Sequence, residues 1–199
     1  IALVGHIMPD GDTTGSCLAL GYALESMGKD VYLFCQDAIP YNLCFLDGSE
    51  KFHRELLPKN VGFDVVIALD CSDPERMGEF QCLLELGGRT INIDHHISNT
   101  NFAHINWVST EAAATCELVY ELIAYMNIPM DINIANSLYT GLSTDTGNFS
   151  FSNTTSKTHN IAAELIDLGV SPDEISNSVY KDNSLERVKL IAKVIDTIE

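Results

Sequence analysis

The stretch IALVGHIMPDGDTTGSCLALGYALESMGKD, residues 1–30, decides the fold. Ile1–Gly5 is a short apolar run with β-branched residues, the pattern of a buried strand. A polar loop, His6-Ile-Met-Pro-Asp10-Gly-Asp12, follows it. After the Asp12-Thr13-Thr14 turn, Cys17, Leu20, Leu24 and Met27 recur at helical spacing, and Gly28 is the expected stop. A strand, a polar loop and a helix in that order form the repeating unit of a parallel α/β sheet. Outward from this unit, further strands are expected at Val31–Cys35, Phe63–Leu69, Thr90–Ile93 and Ala103–Val108. From about Thr110 the chain reads as helical: Cys116, Val119, Leu122, Ile123 and Met126 share one face, Ile134, Leu138 and Leu142 another, and Ile161, Leu165 and Leu168 a third. Capping boxes are read at Ser171-Pro172-Asp173-Glu174 and at Asn183-Ser184-Leu185-Glu186, the latter ahead of an apolar stripe of Val188, Ile191, Ile195 and Ile198. That last helix either packs on the core or leads into a further domain. The predicted class is α/β: a three-layer α/β/α arrangement with a mostly parallel sheet of about five strands, followed by a helical C-terminal part.

Composition narrows the partners. The chain has 199 residues, 46% of them hydrophobic, and 28 Asp and Glu against 11 Lys and Arg give a net charge of −17. That is a core-forming composition, unlike a disordered acidic tail. The acidity disfavours long duplex nucleic acid, which is bound largely through Lys and Arg on phosphates, and docking on anionic membranes. No apolar run approaches the ~20 residues of a membrane span. The six cysteines (Cys17, Cys35, Cys44, Cys71, Cys82, Cys116) are scattered without a C-x-x-C pair and read as reduced, buried thiols of a cytoplasmic protein. His53 and His159 are expected on the surface, and His104 is expected to pack or to face solvent. The chain opens inside a strand-like run at Ile1 and ends inside a helix-like one at Glu199, so it reads as a piece of a longer protein.

The chemistry gathers at strand ends, where open parallel sheets build their sites. His6, Asp10 and Asp12 follow the first strand, Asp70-Cys-Ser-Asp73 the third, and Asp94-His95-His96 the fourth. Singly, each has a plain explanation: Asp10-Gly11-Asp12 as a turn with a helix cap, Asp70 as a cap, Asp94-His95-His96 as a polar loop. Jointly they place at least four carboxylates at one edge without a Lys or Arg among them, a conflict that divalent metals resolve.

Gly5-His6-Ile-Met-Pro9-Asp10-Gly11-Asp12-x-x-Gly15-Ser16 resembles motif I of the DHH phosphoesterase superfamily. Asp70-Cys-Ser-Asp73 resembles its motif II, Asp94-His95-His96 its name-giving triplet, and Ser143-Thr144-Asp145-Thr146-Gly147 its motif IV. The order is the family's, from Gly5 to about Gly147. Within this RecJ-like superfamily the segments Asp94–Phe102, Ala113–Tyr120 and Phe149–Thr155 are most similar to the bacterial oligoribonuclease/pAp-phosphatase (nanoRNase) group. Asn148 stands where relatives often carry a basic residue. The resemblance implies a DHH domain over 1–182, with 183–199 as a C-terminal helix linking to an absent DHHA1 domain.

It also implies two metal sites, one of His6, Asp10 and Asp70, the other of Asp12, Asp70, His95 and Asp145, with Asp70 bridging. Mixed carboxylate and imidazole donors suit Mn²⁺, and Mg²⁺ less well. Two such ions about 4 Å apart activate a hydroxide as nucleophile. Asp70 and His96 are the implied catalytic residues, His96 facing the substrate, and Asp94 supports a neighbouring imidazole. The implied function is a Mn²⁺-dependent phosphohydrolase of short oligoribonucleotides or adenosine 3′,5′-bisphosphate. A cyclic- or linear-dinucleotide phosphodiesterase and a non-catalytic metal- and nucleotide-binding regulatory fragment are the alternatives, and a homodimer is compatible with the full-length relative. Asp10-Gly11-Asp12-Thr13-Thr14 also fits the Asp-x-Asp-x-Thr signature of haloacid-dehalogenase-type phosphatases, although that reading leaves His6, His95 and His96 unused. No Gly-Lys-Ser/Thr loop or G-x-G-x-x-G supports an ordinary nucleotide fold.

Overall fold

The computed structural model describes residues 1–57, 62–181 and 185–198. Five strands form one sheet: β1 (Ala2–Val4), β2 (Tyr32–Phe34), β3 (Val65–Leu69), β4 (Arg89–Asp94) and β5 (Ile105–Val108). Their order is β2-β1-β3-β4-β5, and every neighbouring pair is parallel. The chain order reverses direction between β1 and β3, the switch point at which such sheets place ligands. All five strands fall within or beside the expected runs; β5 starts two residues late because Ala103 and His104 belong to the loop before it.

Alternation along the strands divides the core. Leu3, Ile67 and Leu69 face a large cluster with α1 (Gly11–Ser26), α3 (Thr115–Tyr125), α4 (Ile132–Asp145) and α5 (Ser156–Asp167). Ala2, Val4, Val66 and Ala68 face a smaller one, closed by Met77, Phe80 and Leu83 from a 3₁₀ segment (Pro74–Cys82) and the one-turn α2 (Leu83–Leu86). Helices thus lie on both sides of the sheet, one side much thinner.

Helix α1 departs from the one-faced reading. Gly11 to Leu24 are buried except Tyr22, because the helix is sandwiched between the sheet and α4. Glycine permits the approach: a Cβ on Gly15 would lie 2.3 Å from the Ser137 carbonyl oxygen of α4, and one on Gly11 would meet Thr144. Gly28, at φ +75°, ends the helix as expected.

Other expectations need correction. Ser109 to Ala114 and Thr146 to Thr155 are loops, so the second half is less continuously helical than its pattern implied. Ser171 makes no side-chain cap; its hydroxyl donates to Asp173 Oδ1 at 2.7 Å, and α6 (Pro172–Ser176) passes into a π-helical turn over Asn177–Lys181. The capping box at Asn183 lies outside the described residues. In α7 (Leu185–Ile195) and just after it, Val188, Ile191, Ile195 and Ile198 are exposed. The cysteines are all free, but Cys44 is exposed and Cys82 half-buried. His53 is half-buried, its ring 5.4 Å from that of Phe34, while His104 and His159 are exposed. No helix among the described residues is long and apolar enough to cross a membrane.

Candidate metal centre

Three loops at the carboxyl edge of the sheet meet the ends of three helices, α1, α3 and α4. The loop after β1 supplies His6 and Asp10. Asp10 is also the N-cap of α1, its Oδ1 accepting the Asp12 and Thr13 N–H groups at 3.0 Å each. The helix therefore begins before the Asp12-Thr13-Thr14 turn, and Asp12 projects from its first turn. A cap role and a place in the cluster coexist in Asp10, because Oδ2 stays free to face His6 Nε2 at 3.7 Å.

Asp70 follows β3 with φ +59°, a left-handed backbone that costs a residue with a Cβ about 1–2 kcal/mol. Strain of this kind persists where surrounding contacts dictate it. Asp70 Oδ2 faces His6 Nε2 at 3.4 Å, and Oδ1 faces His95 Nε2 at 3.7 Å. His95 Nε2 also lies 3.1 Å from Asp145 Oδ2, at the last residue of α4, and 3.9 Å from Asp12 Oδ2. Hence all six residues expected as ligands converge, in a His6–Asp10–Asp70 group and an Asp12–His95–Asp145 group, and a third group brings His96 together with Asp70 and His95. The His6 and His95 imidazoles turn Nδ1 to backbone carbonyls, of Ile7 at 2.7 Å and Ala112 at 3.4 Å, which leaves Nε2 for the cluster.

Asp12 is fully buried, and its charge is met by the start of α3. Its Oδ2 accepts the Thr115 N–H at 2.6 Å and its Oδ1 the Cys116 N–H at 2.8 Å. Thr13 and Thr115 donate their hydroxyls to Asp70, at 2.7 Å on Oδ2 and 3.0 Å on Oδ1. Residue-by-residue reading of the sequence missed these threonines; the signal was Thr13 lying inside motif I and Thr115 inside the Ala113–Tyr120 segment.

The electrostatics follow from crowding. Burial disfavours a charged His6, yet pairing with Asp10 and Asp70 wins and holds it at about 10. His95 is likewise held at about 10, burial being overcome by Asp145, Asp12 and Asp70. Burial would raise Asp10, but His6 and two backbone N–H groups pull it to about 2. Asp12 is pushed well above the usual range, first by burial and then by the charges of Asp70 and Asp145. Such a cluster demands positive charge. The neighbouring thiols point elsewhere, Cys71 Sγ to the Leu69 carbonyl at 3.3 Å and Cys116 Sγ to that of Asp12 at 3.7 Å, so the donors are oxygen and nitrogen. That set fits hard to intermediate divalent ions better than a thiolate metal.

His96 stands beside the cluster. Its Nδ1 is 3.6 Å from Asp70 Oδ1 and 2.7 Å from Asp94 Oδ1, and its side chain is 41% exposed. Asp94 is wholly buried, and its Oδ2 accepts the Asn99 amide at 2.6 Å. Asp73 caps the 3₁₀ segment through the Arg76 N–H at 3.1 Å and stays apart from the cluster. Asn148 accepts a bond from Ser143 Oγ at 3.3 Å.

Comparison with known proteins gives a consistent answer. Residues 1–142 match the model of the DHH family, N-terminal domain. A bifunctional oligoribonuclease and PAP phosphatase of Thermus thermophilus is 35% identical over 201 residues, covering 100% of this chain and 59% of that protein. The Bacillus subtilis protein of the same description is 30% identical over 195 residues, covering 96% and 59%. Among solved structures, an exopolyphosphatase-related protein from Bacteroides fragilis superposes with a TM-score of 0.89 at 31% identity, covering all of this chain and 61% of that one. The chain thus spans about three fifths of the length of the relatives it matches.

Proposed function

The chain belongs to the DHH family, and from that premise we propose that it is the metal-binding domain of a phosphohydrolase acting on small nucleotide phosphoesters, short oligoribonucleotides or adenosine 3′,5′-bisphosphate. The observation that carries this reading is Asp70: its two oxygens face His6 on one side and His95 on the other, each group completed by further carboxylates. His6, Asp10 and Asp70 would hold one divalent ion, and Asp12, Asp70, His95 and Asp145 the other, with Mn²⁺ the best match to the donors. When bound, such a pair supplies Lewis acidity toward a phosphate and lowers the pKa of a shared water.

The chain's own residues do the rest. Asp94 holds the half-exposed His96 ring through Nδ1 and raises its pKa, so that the imidazolium can donate from Nε2 to a phosphate oxygen or protonate the leaving oxygen. The N-terminus of α3 donates two N–H groups to Asp12 and offsets part of the cost of its charge beside Asp70 and Asp145. Membership of the DHH family sets aside the dehalogenase-type reading, in which Asp10 is a nucleophile. The curated relatives' descriptions favour oligoribonucleotide and PAP substrates over cyclic dinucleotides. We assign the remaining length of the whole protein to a DHHA1 domain joined through 183–199, which selects the substrate, and the protein to the cytoplasm.

The test is hydrolysis by the full-length protein of di- and trinucleotides, adenosine 3′,5′-bisphosphate and cyclic dinucleotides, with Mn²⁺ and with chelator. Mn²⁺-dependent release of mononucleotide from the first two classes is expected. Activity undiminished in chelator would overturn the proposal.

A further inference from the structure

We propose that Thr13 and Thr115 are positioning residues that divide the Asp70 carboxylate between the two ion sites, one hydroxyl per oxygen. The proposal rests on the two-ion reading above and adds the means by which the shared ligand is held. A carboxylate rotates about its terminal torsion with little restraint, so burial alone does not decide which oxygen serves which site. Two donors from different helices do. Thr13, in the first turn of α1, donates to Oδ2, the oxygen that faces His6. Thr115, at the first position of α3, donates to Oδ1, the oxygen that faces His95.

Each threonine is itself fixed. The Thr13 methyl fills space at the end of β1 that exists because residue 5 is glycine: a Cβ there would lie 2.5 Å from Thr13 Cγ2. With the methyl held, the hydroxyl is aimed at Asp70. Thr115 is held from its other side, since its N–H binds Asp12 Oδ2 at 2.6 Å while its hydroxyl binds Asp70. One residue therefore spaces two carboxylates of the second site. Both threonines are fully buried, so no water competes for these bonds.

The test is Mn²⁺ titration of the full chain, followed by the electron paramagnetic resonance of free Mn²⁺, for Thr13 and Thr115 each replaced by Val, Ala and Ser. Wild type is expected to take up two ions. Thr115→Val should weaken one of them by about 10–100-fold, the usual consequence of removing a ligand's supporting hydrogen bond, and its titration should match that of Asp145→Asn. Thr13→Val should weaken the other and match Asp10→Asn. The Ser variants, which keep the hydroxyl, should bind both ions more tightly than the Ala variants. That comparison decides the matter if a Val variant fails to fold by circular dichroism in chelator. Two ions in wild type with Val variants that bind like wild type, or Ser variants no better than Ala, would overturn the positioning role. Fewer than two ions in wild type would instead defeat the two-ion reading beneath it.

Discussion

His96 Nδ1 lies 2.7 Å from Asp94 Oδ1, and the other oxygen of that buried carboxylate is held by Asn99. The bond keeps Nδ1 protonated and raises the pKa of the ring, so that the imidazolium carries a second proton on Nε2. Because Asp94 joins neither ligand group, its effect on ion binding and on turnover should separate. Asp94→Asn is expected to lower kcat by about 10–100-fold while two Mn²⁺ still bind with wild-type affinity. Parallel kinetics and metal titration check this, and loss of an ion in the variant would show that Asp94 supports the metal sites instead.

Asp70 is a harsher case. Its two oxygens face two histidines from different strand ends, and no other carboxylate in the cluster sits between both groups. Asp70→Asn should reduce Mn²⁺ stoichiometry and cut turnover by about 10²–10³-fold, since metal assistance is worth several kcal/mol and each 1.4 kcal/mol is tenfold. A variant that keeps a tenth of the activity would rule out a bridging role.

The legibility of this site in the sequence has a physical limit. The strands were readable because each is a short apolar run, and His6, Asp10, Asp12, Asp70, Asp94, His95 and His96 were readable because they stand next to strand ends. Asp145 stood at a helix end with no strand to mark it, and only the family resemblance brought it in. Asp12's second partner was invisible for a different reason: the N–H groups that receive its charge lie 103 and 104 residues away, at the start of α3. Thr115 follows three alanines, and nothing in that run says its hydroxyl will reach Asp70 across the sheet edge. The burial of α1 on every side was hidden too, because periodicity marks the face a helix needs to bury and not the second layer that α4 later provides.

Gly15 tests that second layer. A Cβ there would lie 2.3 Å from the Ser137 carbonyl oxygen and 3.2 Å from Cys116 Sγ, both in the packed interior, so α1 and α4 must separate to admit it. Overpacking of this kind costs about 1–3 kcal/mol. For a domain of this size that is about 2–4 °C of Tm for each kcal/mol. Gly15→Ala should therefore melt several degrees lower by calorimetry. Because α1 carries Asp12 and α4 carries Asp145, it should also bind the second Mn²⁺ more weakly. An unchanged Tm would mean that the two helices do not pack as closely as described.

The crowding of buried carboxylates makes a last expectation quantitative. In the folded chain burial and the charge of Asp70 raise both Asp12 and Asp145, whereas unfolding scatters them. An ion pair of charge +4 bound only by the folded state stabilises it through mass action, by about 2.7 kcal/mol per site at a free concentration 100 times Kd. With 2–4 °C per kcal/mol, Mn²⁺ should raise Tm by about 5–10 °C per occupied site relative to chelator. Asp70→Asn should shrink this gain and also lower the Tm in chelator at neutral pH, since, against burial, His6 and the Thr13 hydroxyl hold the Asp70 carboxyl below its usual range and its charge in turn favours protonated His6 and His95. Melting curves of wild type and variant in Mn²⁺ and in chelator measure all four values. If wild type melts at the same temperature in both, the cluster does not hold divalent ions, and the charge it gathers must serve another end.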